Sequence, residues 1–170
     1  MKPLDFPDVH HLAAACGWLE LGLPHEAEKE LKNVSPGYRR HPQVLRLLCQ
    51  IAARRQQWRQ CAEAARCLTQ VAPEDGLGWM QLAHSLHQLG QTAAAHDLLL
   101  QVMDMLEPDS RMALDLSCYA CRLGHLSESQ EWLARAFELA AQPQEREALK
   151  ARALEDPSLA PLRDVIQHLV

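Results

Sequence analysis

His84 and His87 stand three residues apart, and Cys118 and Cys121 repeat that spacing 34 residues further on. Side chains three apart share one face of an α-helix, so each pair could offer two donors side by side. Two imidazoles and two thiolates make a tetrahedral zinc set. They meet only if the helices that carry them are neighbours, about 8–10 Å apart. The competing reading makes the cysteines small packing residues and the histidines polar surface groups. A C-x-x-C within a helix also lacks the turn that usually wraps such a pair around a metal. The chain contains no phosphate-binding G-x-x-x-x-G-K-[ST], no G-x-S-x-G and no H-E-x-x-H. His10 and His11 are adjacent and point to different helix faces. Ser85 and Ser117 read as small residues between helices. Cys16 has no partner ordered beside it to make it a nucleophile. The expectation is a chain with no enzyme activity and no cofactor, zinc at the four named residues being the one metal site to test.

The elements that would position these residues are helical. The hydrophobic share is 48%, drawn mainly from Leu and Ala, and only 5% of the chain is aromatic. Leu and Ala lose little rotamer freedom in a helix, whereas β-branched residues lose more. A length of 170 residues fits one domain. The formal charge of −5 argues against a nucleic-acid partner, which calls for a basic excess to neutralise phosphates. No run of apolar residues is long enough to span a membrane, and Met1 to Asp8 has no leader pattern. The six cysteines lie in apolar helical stretches, as reduced cysteines of a cytoplasmic protein would.

A repeat organises the chain. Leu89-Gly90 and Leu123-Gly124 are 34 residues apart, and Leu21-Gly22 precedes the first of these by 68. The missing step falls at Arg55-Gln56. Four windows follow, 8–41, 42–75, 76–109 and 110–143, with 1–7 as a lead-in and 144–170 as a capping segment. Position 8 is small in every window (Ala15, Cys49, Ala83, Ser117), and so is position 20 (Ala27, Cys61, Ala95, Ser129). Small residues there let two helices cross closely. Gly22, Gly90 and Gly124 stand where a first helix must end, and Pro42, Pro73, Pro108 and Pro143 stand at or beside window boundaries. Pro36-Gly37 ends the second helix of the first window early. In the tail, Asp156-Pro157 separates a helical pattern over 144–154 from a possible second helix over 158–170, which would cover the open end of the stack.

This pattern resembles the tetratricopeptide repeat (TPR), over roughly residues 8–143. Windows three and four match it best; window two has Gln56 in place of Gly and window one has His11 in place of Trp. More narrowly, "GWLELGLPHEAEKEL", "WMQLAHSLHQLGQTAAAHDLL", "CYACRLGHLSESQEWLARAFEL" and the tail "ALEDPSLAPLRD" resemble a group of small bacterial tetratricopeptide proteins. The resemblance implies an all-α, right-handed superhelical solenoid of four helix-turn-helix units with C-terminal capping helices. It implies protein binding and no enzyme activity.

The family's groove-facing positions carry over residue by residue. They give Leu12, Cys16, Leu19 and Glu20 in window one, and Arg46, Gln50, Ala53 and Arg54 in window two. Window three gives Met80, His84, His87 and Gln88; window four gives Arg111, Leu114, Cys118, Cys121 and Arg122. Four arginines and two histidines against one glutamate predict a mildly basic groove, apolar at its N-terminal end. Such a groove suits an acidic peptide or a free carboxylate, because arginine can fork two hydrogen bonds to it. The family's carboxylate clamp for chaperone tails is absent, since Leu12 and Cys16 hold its positions. The leading expectation is an interaction scaffold that holds a peptide or protein segment. Two alternatives stand beside it: a chaperone like those of type III secretion translocators, and a module that self-associates.

Overall fold

A computed structural model describes residues 4–107 and 109–168. Pro108, expected at the third boundary, and the outer ends of the lead-in and capping segments lie outside the described residues. The order of helices is α1 (Asp8–Glu20), α2 (Pro24–Lys32), α3 (Pro42–Arg54), α4 (Trp58–Val71), α5 (Gly76–Gln88), α6 (Thr92–Met103), α7 (Ser110–Arg122), α8 (Leu126–Leu139), α9 (Pro143–Glu155) and α10 (Arg163–His168). Short 3-10 turns cover Pro36–Tyr38 and Pro157–Leu162. Each 34-residue window therefore holds one pair of helices. Two compact units form, residues 1–89 and 90–170. Their border falls between α5 and α6, inside the third window.

The turns explain the helix ends. Gly22, Gly90 and Gly124 have φ of 74°, 80° and 85°, a region open to glycine at little cost. Gln56 has φ 56° and closes the same turn in the second window. Around it the hydrogen bonds match those at Gly22. Leu23 N–H donates to the Trp18 carbonyl and Gln57 N–H to that of Ala52, both at 2.9 Å. The shared 6→1 bond is the Schellman arrangement, so the backbone demands the left-handed residue and glutamine supplies it. At the other ends, the carboxylates of Asp75 and Asp109 cap α5 and α7. They accept from Leu77 N–H at 3.1 Å and Arg111 N–H at 2.8 Å.

The first unit packs α1, α2, α3, α4 and α5 in sequence. Its core includes Leu19, Leu31, Val34, Val44, Leu47 and Ile51, with Leu45, Leu68 and Ala72 beside them. Gly78 sits so close to α4 that an added Cβ would meet Leu68 Cγ at 3.0 Å. Where the paired helices cross, Ala15 and Ala27 are fully buried, as are Cys49 and Cys61. Cys61 donates its thiol to the Cys49 carbonyl at 3.4 Å, and Cys49 answers at 3.9 Å. The Cys61 thiol beside it, and then burial, push the Cys49 thiol up. In the second unit, serines repeat the exchange. Ser117 and Ser129 each donate to the other's carbonyl at 2.8 Å, so these buried hydroxyls are not left unsatisfied.

The second unit is built on α7, from which only Arg111 and Arg122 are exposed. Helices α6 and α8 pack against it, and so do α9 and the turn Pro157–Leu162. The capping segment departs from expectation here. Pro157 and Pro161 hold its middle in a 3-10 turn, and the last helix starts only at Arg163, running over Arg163–His168 among the described residues. Leu159, Leu162 and Ile166 are buried. Asp115 on α7 is buried and pairs with Arg152 on α9. Desolvation outweighs that arginine and raises the Asp115 carboxyl to about 6.

Candidate functional site

Within the first unit, α1, α3, α4 and α5 line an open cavity of about 560 Å³. Helix α1 contributes Cys16, Leu19 and Glu20; α3 contributes Leu47, Gln50, Ala53 and Arg54. Trp58 closes it from the start of α4, and Gln81 and His84 from α5. The size lies within the ordinary range of ligand pockets. Its lining mixes an apolar floor (Leu19, Leu47, Ala53, Trp58) with side chains that donate or accept hydrogen bonds. The indole of Trp58 meets the His84 ring edge to face, with centroids 5.2 Å apart. The Gln81 amide oxygen lies 3.6 Å from the Cys61 thiol and competes with the Cys49 carbonyl for its one hydrogen.

The charges sort out differently from a simple tally of residue types. Arg46 is taken up by Asp75 at 2.5 Å, and Arg111 forks onto Asp109 at 2.9 and 3.2 Å. Both aspartates are N-caps that helix starts require, so two of the four expected groove arginines are neutralised by the fold. Arg54 and Arg122 are exposed and make no ion pair among the described residues. Only Arg54 of these two lines the cavity, with Glu20 as the other charged member. Burial, and then Glu20, push the Cys16 thiol up. Cys16 is therefore a neutral donor and a poor nucleophile.

Of the residues expected in the groove, the structure gathers Cys16, Leu19, Glu20, Gln50, Ala53, Arg54 and His84 around this cavity. Leu12 packs instead against the core of the first unit. Met80 and His87 are half-buried on α5 and Gln88 is exposed at its end, all outside the cavity lining. Leu114, Cys118 and Cys121 are corrected: they are buried on α7, against which the turn Pro157–Leu162 packs. Cys118 donates to the Asp156 carboxylate at 3.3 Å, and burial with that carboxylate pushes its thiol well up. A zinc ligand needs the thiolate, so this environment works against the His84, His87, Cys118 and Cys121 site. Among the described residues no three His, Cys, Asp or Glu side chains are placed to hold a metal ion.

Trp58, Leu47 and Gln81 were not expected. Leu47 and Gln50, like Gln81 and His84, are three apart and share a helix face. The lining on the first helices thus runs over repeat positions 6, 9, 12 and 13, and position 6 adds to the family's groove positions. Trp58 belongs to a second helix, and follows two residues after the left-handed Gln56; a large aromatic placed there is the signal that would have found it.

No protein-family model matches the chain, and no curated protein matches it. Among solved structures, the crystal structure of TTC0263, a thermophilic TPR protein in Thermus thermophilus, is similar with a TM-score of 0.70. The two are 19% identical, over 88% of this chain and 82% of that one. Among the described residues no helix is long and apolar enough to cross a membrane. Helix pairs at a 34-residue period, close crossings at small residues and left-handed turns between the paired helices agree with that likeness: this chain has the tetratricopeptide-repeat fold.

Proposed function

We propose that the protein is an interaction module, without catalysis, that holds a short segment of another protein in the cavity between α1, α3, α4 and α5. The observation that carries this reading is the lining itself. An unpaired arginine, three side-chain hydrogen-bonding groups (Gln50, Gln81, His84) and a tryptophan wall converge on one opening. A few convergent polar groups on an apolar floor are what a binding site needs. Burial and Glu20 push up the thiol of Cys16, the one cysteine on the cavity lining, which favours binding over nucleophilic chemistry there. Arg54 directs the choice of ligand toward a segment that bears a carboxylate. Neither nucleic acid nor membrane is a partner in this reading. The six free cysteines suit a reducing, cytoplasmic setting.

The test is a peptide-display library panned against the full chain, with selected peptides measured by calorimetry. A charged hydrogen bond contributes about 1.5–3 kcal/mol, so Arg54→Glu should weaken selected acidic peptides by about 10- to 100-fold. Arg59→Glu, on the exposed side of α4, should leave them unchanged. Equal loss in both variants, or loss in neither, would remove the cavity from the account.

A further inference from the structure

The second unit carries its own occupant. Repeat positions 5, 9 and 12 of α7 are Leu114, Cys118 and Cys121, and all three are buried. The covering segment starts at Asp156, whose carboxylate takes the Cys118 thiol hydrogen bond at 3.3 Å. The 3-10 turn Pro157–Leu162 then packs on α7 and buries Leu159 and Leu162. Asp156 also caps that turn, accepting from Ser158 N–H at 2.8 Å. The segment is pre-bent by Pro157 and Pro161, so little ordering cost remains when it docks.

Helix α1 offers the same register without the cover. Its positions 5, 9 and 12 are Leu12, Cys16 and Leu19, so Leu and Cys recur at 5 and 9. Cys16 and Leu19 open onto the cavity, where Gln50 holds position 9 of α3 and Arg54 follows one turn later. A carboxylate that met one thiol donor on α7 would here find Cys16, Gln50 and the unpaired Arg54. Two leucines that are buried where the turn packs on α7, α9 and α10 would here find Leu19, Leu47 and Trp58.

Resting on the function proposed above, we infer that the ligand of the cavity is a short proline-bent segment of another protein, with an acidic residue followed by leucines three and six positions later. It is the chemistry of the chain's own Asp156-Pro157-Ser158-Leu159-Ala160-Pro161-Leu162, met on a second protein.

The probe is a labelled synthetic peptide, EDPSLAPLR, the copy of residues 155–163, titrated into the full chain by fluorescence anisotropy. Three companions carry Asp156→Lys, Leu159→Ala with Leu162→Ala, or a scrambled order. Saturable binding is expected, weakened at least tenfold by the lysine peptide, by the alanine peptide and by Arg54→Glu in the protein. No saturable binding would overturn the inference, and so would binding equal to that of the scrambled peptide. Binding unaffected by Arg54→Glu would place the peptide on α7 in exchange with the tail, and would overturn it too. Library panning separates this failure from that of the parent reading. Arg54-dependent ligands without the Asp and Leu spacing would leave the cavity standing and sink the motif, whereas no ligand at all would sink both.

Discussion

Gln56 is the position where sequence and backbone disagree most, which makes its replacement by glycine the sharpest test of the repeat account. The three other first-helix turns place glycine at φ of 74°, 80° and 85°, and the second places glutamine at 56°. Holding an L-residue there costs about 1–2 kcal/mol. Glycine removes that cost but adds freedom to the unfolded chain, returning about 0.5–1 kcal/mol. The Gln56 side chain is exposed and makes no hydrogen bond among the described residues, so nothing else is lost. Gln56→Gly should therefore stabilise by about 0.5–1 kcal/mol, and for a chain of this size Tm should rise by about 1–4 °C. Gln56→Ala keeps the Cβ and should stay near wild type. Gly22→Gln and Gly124→Gln should each lose what Gln56→Gly gains. Thermal melts followed by circular dichroism measure all four. A glycine variant that melts at or below the alanine variant would refute the reasoning, because relief of the left-handed backbone should outweigh the chain freedom that glycine adds.

Gly78→Ala should lower Tm despite alanine's better helix propensity, worth about 1 kcal/mol. Its Cβ would stand 3.0 Å from buried Leu68, and overpacking costs about 1–3 kcal/mol; an unchanged or higher Tm would show that α4 yields freely. The double variant Cys49→Ser with Cys61→Ser should stay within about 1 kcal/mol of wild type by adopting the Ser117–Ser129 exchange, whereas Cys49→Ser alone should fare worse than the pair; urea melts decide this. Asp115 gives a pH dependence of definite sign. Its folded pKa of about 6 lies above the unfolded value of about 3.9, so the folded chain holds the extra proton between them. Its contribution to stability is full below about pH 4 and falls as pH rises through 6. Amide exchange along α7 should report this loss, and Asp115→Asn should flatten it; protection that grows with pH in the wild type and not in the variant would reverse the argument.

The parts of the fold governed by local rules were legible from residue types. Pairs of small residues at positions 8 and 20 fixed the helix crossings, and the 34-residue register located a left-handed turn at Gln56 even without glycine. What the periodicity lacked was any statement of who meets whom. Asp75 and Asp109 cap α5 and α7 in the structure, and that Asp75 also takes Arg46 depends on how α3 and α5 pack, a pairing the periodicity does not show. The tail over 144–170 gave its helices and its prolines. Nothing in their spacing said that Asp156 would reach Cys118, an expected groove residue. Trp58 was visible as a large residue, yet its place on a second helix hid its role, because groove positions were counted on first helices alone.

The central claim is that the cavity bounded by Cys16, Gln50, Arg54, Trp58 and His84 holds the ligand. Titrating a library-selected peptide into ¹⁵N-labelled full chain, followed by ¹H–¹⁵N correlation spectra, tests it most directly. The account predicts that the largest shifts cluster at Cys16, Gln50, Arg54 and His84 and at the Trp58 indole N–H, and that Arg54→Glu abolishes them. Shifts centred instead on Glu28, Gln60 and Glu63, which line a separate pocket of the same unit, with the Trp58 indole unmoved, would contradict it.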